Sequence, residues 1–237
     1  MFMQTNKKTH EHTVAIQRNH GRNNEKYNLV EKLAILLKTH KESKYLCTAT
    51  SVAYRVAALC DLALGGHLML SNNVVKSVKT HSNDIYNDML IKISQINGSP
   101  SDVIKNLNGE KKKENAVKNL KKKIYTDIER KALVKRHKGI VSNKITLKDT
   151  NTWKEIFDQV VAECCSTPTM HTKVLLICLE YINGMQDVLI QLPGEKAEAV
   201  SSCMMEVREK LVKKERPSEN VLIYLFLEYL CKKRIFI

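Results

Sequence analysis

Apolar residues along this chain recur mostly at three- and four-residue intervals, the spacing of one buried helix face, and only briefly alternate as a strand would. After a polar stretch at residues 1–28, Leu29, Leu33, Leu36 and Leu37 predict a helix over residues 28–39. Residues 40–48 read as a polar loop holding Tyr45 and Leu46. A second helix face follows in Val52, Val56, Leu59, Ala63 and Leu64, and it stops at Gly65-Gly66. Either glycine can take the left-handed conformation that ends a helix without a Cβ penalty. Leu68 and Leu70 then alternate with His67 and Met69, so a short β-ribbon follows the helix.

The same order returns once. Ile85, Met89, Ile93 and Ile96 predict a helix over residues 82–96, ended by Gly98. Ser99 as cap and Pro100 in the first turn start a short helix that closes at Asn108-Gly109. Val117, Leu120, Ile124, Ile128 and Ala132 give residues 111–136 one apolar stripe, which predicts a long helix with lysines around the rest. Gly139-Ile140-Val141 and Ile145-Thr146-Leu147 then form a second ribbon around Ser142-Asn143-Lys144. Helices over residues 153–164, 170–182, 195–213 and 221–233 complete the pattern. The near-continuous apolar run at residues 174–179 marks the second of these as the most buried. The expected fold is mainly α: a single-domain multi-helix bundle over residues 29–237, with short β-hairpins following helices and a disordered basic tail at residues 1–28.

Composition adds a partner class. The 237 residues are 43% apolar, enough to bury one full core, and carry a formal charge of +14. Twelve Lys/Arg against four Asp/Glu fall between Gly109 and Lys138, so +8 of the +14 sits in one short segment. A polyanion is the partner such a cluster favours: an anionic lipid, RNA or DNA. Seven cysteines without a paired or metal-type spacing read as reduced, buried small hydrophobes of a cytoplasmic protein. The longest apolar runs fall far short of the roughly 20 residues a membrane span needs. No secretory signal pattern opens the chain.

Catalytic patterns are missing. There is no phosphate-binding glycine loop, zinc-protease motif or nucleophile elbow, and Gly65-Gly66 follows a helix where a dinucleotide fingerprint needs it before one. The chain reads as no enzyme, with no cofactor. His10 and His12 lack the further ligands a metal requires.

Arg55 stands out in the otherwise small and apolar Val52-Ala53-Tyr54-Arg55-Val56-Ala57-Ala58. It is either a guanidinium aimed at a phosphate or one paired with Asp61 or Glu31. Lys121, Lys122 and Lys123, like the lysines at 111–113, form either an anion-binding or a solvated surface.

The stretch YRVAALCDLALGGHLML at residues 54–70 resembles the signature helix and ribbon of the Golgi phosphoprotein 3 family. The order of a short helix ending at Leu107–Gly109, a basic helix, Gly139-Ile140-Val141, and KVLLICLEYINGM at residues 173–185 extends the resemblance over most of the chain. It implies a mainly helical domain, peripheral on the Golgi membrane, that binds phosphatidylinositol 4-phosphate. It also implies an adaptor role between the cytosolic tails of Golgi enzymes and coatomer. In the family's phosphate pocket, the arginine of the first signature helix corresponds to Arg55. A tryptophan nine residues earlier corresponds to Leu46, beside Tyr45. Two basic positions three apart fall on Lys122 and Tyr125 when apolar stripes are superposed, or on Tyr125 and Ile128 when counted from Gly139. The implied lipid site is therefore Arg55, Tyr45, Leu46, Lys121, Lys122, Lys123 and Tyr125. The rival reading is a winged-helix-like nucleic-acid binder, which the charge-poor first module disfavours. A homo-oligomer is compatible with either.

Overall fold

A computed structural model describes residues 26–37, 46–137 and 144–234. The first of these already belong to the fold. Tyr27 is buried, and Asn28 caps α1 (Leu29–Leu36) by accepting from the Glu31 N–H while the Glu31 carboxylate accepts from the Asn28 N–H. The tail boundary expected at residue 28 thus meets folded residues, and residues 1–25 lie outside the described ones.

The fold is mainly α and, among the described residues, has two separate two-stranded antiparallel hairpins, each directly after a helix. α2 (Leu46–Leu64) starts six residues before Val52, the first residue of its expected apolar face, and so inside the stretch expected as loop. It ends in a paired turn: the Gly66 N–H bonds the Ala63 carbonyl and the His67 N–H bonds the Leu62 carbonyl, with Gly66 at φ +66°. β1 (Leu68–Ser71) then pairs with β2 (Val74–Ser77), and the connecting Asn72-Asn73 takes positive φ at both positions. Asparagine tolerates that conformation, which a two-residue turn between twisted strands requires.

α3 (Asp84–Gln95) is capped by Asn83, and α4 (Pro100–Leu107) by the reciprocal Ser99–Asp102 pair with Pro100 in its first turn. The stripe over residues 111–136 is where sequence and structure part. A 3-10 turn at Lys113–Asn115 comes first, and the helix proper, α5, covers only Leu120–Arg130. Val117 is buried as its place in the stripe predicts, but its N–H bonds the Leu107 carbonyl and Asn119 is left-handed, so its backbone is not helical. Tertiary bonds to the end of α4 replace the intrahelical ones. α5 closes like α2, with Ala132 N–H on the Glu129 carbonyl and Leu133 N–H on the Ile128 carbonyl. Ala132, the last member of the expected stripe, is exposed at φ +60°. β3 (Val134–His137) and β4 (Lys144–Leu147) form the second hairpin, and the expected Gly139-Ile140-Val141 and Ser142-Asn143 lie outside the described residues.

Alanine at that turn holds a conformation that costs an L-residue roughly 1–2 kcal/mol. Glycine removes the strain but loses more chain entropy on folding, so Ala132→Gly is expected to stabilise the fold by about 0.5–1 kcal/mol, read as a raised urea midpoint.

α6 (Thr150–Cys164), α7 (Met170–Tyr181), α8 (Met185–Leu189), α9 (Gly194–Val212) and α10 (Val221–Arg234) finish the chain. Only the five-residue α8 was not expected. α7 is the centre: residues 174–182 are all buried, and α1, α2, α6, α9 and α10 pack around it. Glu180 on α7 and Glu228 on α10 are buried too. Arg208 donates to Glu180 at 3.1 Å, and Arg216 holds Glu228 through both carboxylate oxygens at 2.5 and 2.7 Å. Cys60, Cys164, Cys178 and Cys203 are buried free thiols whose pKa burial raises, while Cys165 is exposed. Among the described residues no helix is long and apolar enough to cross a membrane.

The base of the first hairpin rests on two histidines in tilted ring contact, His67 and His81, with centroids 4.7 Å apart. The His81 Nδ1 accepts from the Asn83 N–H at 2.9 Å, and its ring meets Tyr86 edge-on. Burial first, and His67 second, lower the His81 pKa from 6.5. The unfolded chain therefore takes up this proton before the folded one, so its contribution is intact above pH 6.5 and is lost as pH falls through the lower folded value. The urea midpoint is expected to drop between pH 7.5 and 5.5, and less so in His81→Asn.

Candidate functional site

Arg55 sits on the third turn of α2 and is 6% exposed. Neither carboxylate expected for it is its partner. Six residues along a helix turns Asp61 roughly 120° away. There Asp61 accepts from the Leu29 N–H at 3.0 Å and from the Tyr86 hydroxyl, docking the start of α1 onto α2. Glu31 closes its own capping box and pairs with Lys131.

The Arg55 guanidinium instead binds backbone. Its Nε donates to the Leu107 carbonyl, Nη1 to the Ser51 carbonyl and hydroxyl, and Nη2 to the Val117 carbonyl, the three carbonyl bonds each 2.8 Å. Four of the five N–H groups a guanidinium carries are thereby engaged, leaving one on Nη2. Burial lowers the Arg55 pKa to about 10, which keeps it cationic at neutral pH. One side chain thus ties together α2, the end of α4 and the chain two residues ahead of Asn119. It holds the segment before α5 from beneath, together with the Val117 N–H bond to the Leu107 carbonyl.

That segment delivers the start of α5. Asn119, at its N-cap, makes no side-chain cap bond, and the first turn contains no acidic residue. The start of α5 carries the positive end of the helix dipole, roughly half an elementary charge. Around it stand Lys118 and Lys122, both exposed and without an ion pair or side-chain hydrogen bond among the described residues. Lys112 and Lys113 on the preceding turn are in the same condition.

The remaining expected site residues divide. Lys121 lies over the Tyr125 ring, 6.0 Å from its centroid, and the Tyr125 hydroxyl meets that of fully buried Tyr54 at 3.3 Å. Tyr125 is thus a packing contact between α5 and α2. Lys123 points the other way and pairs with Asp88 of α3 at 2.9 Å. Leu46 opens α2, with only its backbone described, and Tyr45 lies outside the described residues. The structure therefore brings together Arg55 and the start of α5, with Arg55 underneath it and Lys122 outside it. Lys118 was not singled out from the sequence, because a continuous helix over 111–136 would have made it one more surface lysine. The left-handed Asn119 places it at a helix start instead.

The site also bears on nucleic acid. α2 is buried at every position from 52 to 60, so it has no face to lay in a groove. Among the described residues no group of His, Cys, Asp and Glu side chains is placed to hold a metal ion. Compared with known proteins, the chain matches no family model and no curated protein.

Proposed function

We propose that this chain is a peripheral membrane adaptor that docks on phosphatidylinositol 4-phosphate at the cytosolic face of the Golgi through the start of α5. The observation that carries this reading is the exposed, unpaired Lys118 and Lys122 at a helix start lacking both a capping side chain and an acidic residue. The helix dipole and flexible ammonium groups both favour a phosphate there. Arg55 is a positioning residue in this reading: it holds the segment at 117–119 from beneath and adds fixed positive charge behind the site. Lys112 and Lys113 extend the attraction to an anionic leaflet, at about 1 kcal/mol per lysine near the surface.

The choice of an inositol phosphate, the Golgi as location, and the adaptor role with enzyme tails and coatomer as partners are supported by the resemblance in chain order. The test is co-sedimentation of the full chain with phosphatidylcholine vesicles with and without phosphatidylinositol 4-phosphate, wild type beside a Lys118→Glu, Lys122→Glu variant. Binding that needs the phosphoinositide and both lysines is the expected result. Vesicle binding untouched by the variant, or binding only to a nucleic-acid duplex in a parallel mobility shift, would overturn the reading.

A further inference from the structure

We propose that Ile91 is the apolar anchor of this membrane face, entering the bilayer between headgroups when the α5 lysines dock on them. This rests on the function proposed above and adds a residue that neither the sequence pattern nor the family resemblance singles out.

α3 buries Tyr86, Met89, Leu90 and Ile93, yet Ile91 is 54% exposed. Two residues of the same turn, Asp88 at i−3 and Lys92 at i+1, both reach toward α5. Asp88 receives Lys123 at 2.9 Å, and the Lys92 ammonium donates to the Glu114 carbonyl at 3.0 Å, in the 3-10 turn ahead of α5. Those two bonds hold the Ile91 turn of α3 against α5 and the 3-10 turn, the segments that carry the exposed Lys122 and Lys113. A single exposed isoleucine is ordinary on a protein surface. This one is a β-branched side chain on a rigid helix, framed by cations on two elements, with Asp88 already neutralised by Lys123.

That combination fits one occupant, an anionic bilayer. Lysines seated on headgroup phosphates bring the helix to the depth where a short apolar side chain meets acyl carbon. A nucleic acid would use the lysines through its phosphates and leave Ile91 in water. No wide apolar face is needed, because charge supplies the approach and Ile91 supplies the insertion.

Two exposed-site variants test this in the full chain. Ile91→Ser is expected to weaken partitioning onto phosphatidylinositol 4-phosphate vesicles about five- to tenfold, with the loss persisting in high salt. Ile91→Trp, in a Trp153→Phe background so that it is the one indole, is expected to bind at least as well as wild type. Its fluorescence should be quenched by vesicles whose acyl chains carry bromine near the headgroup. If the tryptophan variant binds such vesicles without quenching, or Ile91→Ser binds like wild type, the anchor is wrong while the function proposed above stands. If wild type fails to bind any phosphoinositide vesicle, both fall together.

Discussion

Replacing Arg55 by methionine is expected to cost about 3–5 kcal/mol of stability, the range for removing a buried charged hydrogen-bonding hub. The loss is backbone, not an ion pair. The carbonyls of Leu107 and Val117 each lose a charged donor, as do the Ser51 carbonyl and hydroxyl one turn up α2. Methionine fills much of the volume but offers them nothing. Lysine keeps the charge, yet its single ammonium cannot span carbonyls on three separate segments, so Arg55→Lys is expected to cost about 2 kcal/mol. Urea unfolding checks both values. The outcome also separates two roles. A guanidinium that existed only to hold a phosphate would lose vesicle binding with stability unchanged. A positioning arginine loses both, because the segment at 117–119 relaxes with it.

Reversing charge at the start of α5 is expected to do the opposite. Lys118→Glu with Lys122→Glu should leave the unfolding free energy within about 0.5 kcal/mol of wild type, since neither side chain has a partner to lose among the described residues. Vesicle binding should fall sharply. Two reversals remove about four charges of attraction at about 1 kcal/mol each, an upper bound of roughly a thousandfold at low salt. Screening at physiological ionic strength, where the Debye length is about 8 Å, brings this nearer a hundredfold. Lys123 is a poor choice for the same test, because its reversal would set a carboxylate against Asp88.

The parts of the fold governed by local chemistry were legible in the sequence. Ser99-Pro100 started a helix where a cap and a first-turn proline require one, and Gly66 ended another. The apolar run of α7 became the centre of the bundle. What could not be read was set by contacts distant in sequence. The stripe from Val117 to Ile128 is continuous in burial but not in backbone, since bonds from Leu107 and Arg55 claim the Val117 peptide groups. Ala132 in the left-handed region has no sequence signature, because alanine is a helix former. Arg55 could be picked out as unusual, but not assigned its partners. Those partners are carbonyl oxygens, which every residue has, so no pattern of side chains pointed to them. Lys118 was hidden for the same reason, its importance being fixed by where the helix begins.

The central claim is that the start of α5 recognises a phosphorylated inositol headgroup and not merely negative charge. The most direct measurement is partitioning of the full chain between two sets of vesicles matched in surface charge, one containing phosphatidylinositol 4-phosphate and the other phosphatidylserine. The account predicts a several-fold preference for the phosphoinositide vesicles that disappears in Lys118→Gln, Lys122→Gln. Equal partitioning of the wild-type chain onto both would contradict it.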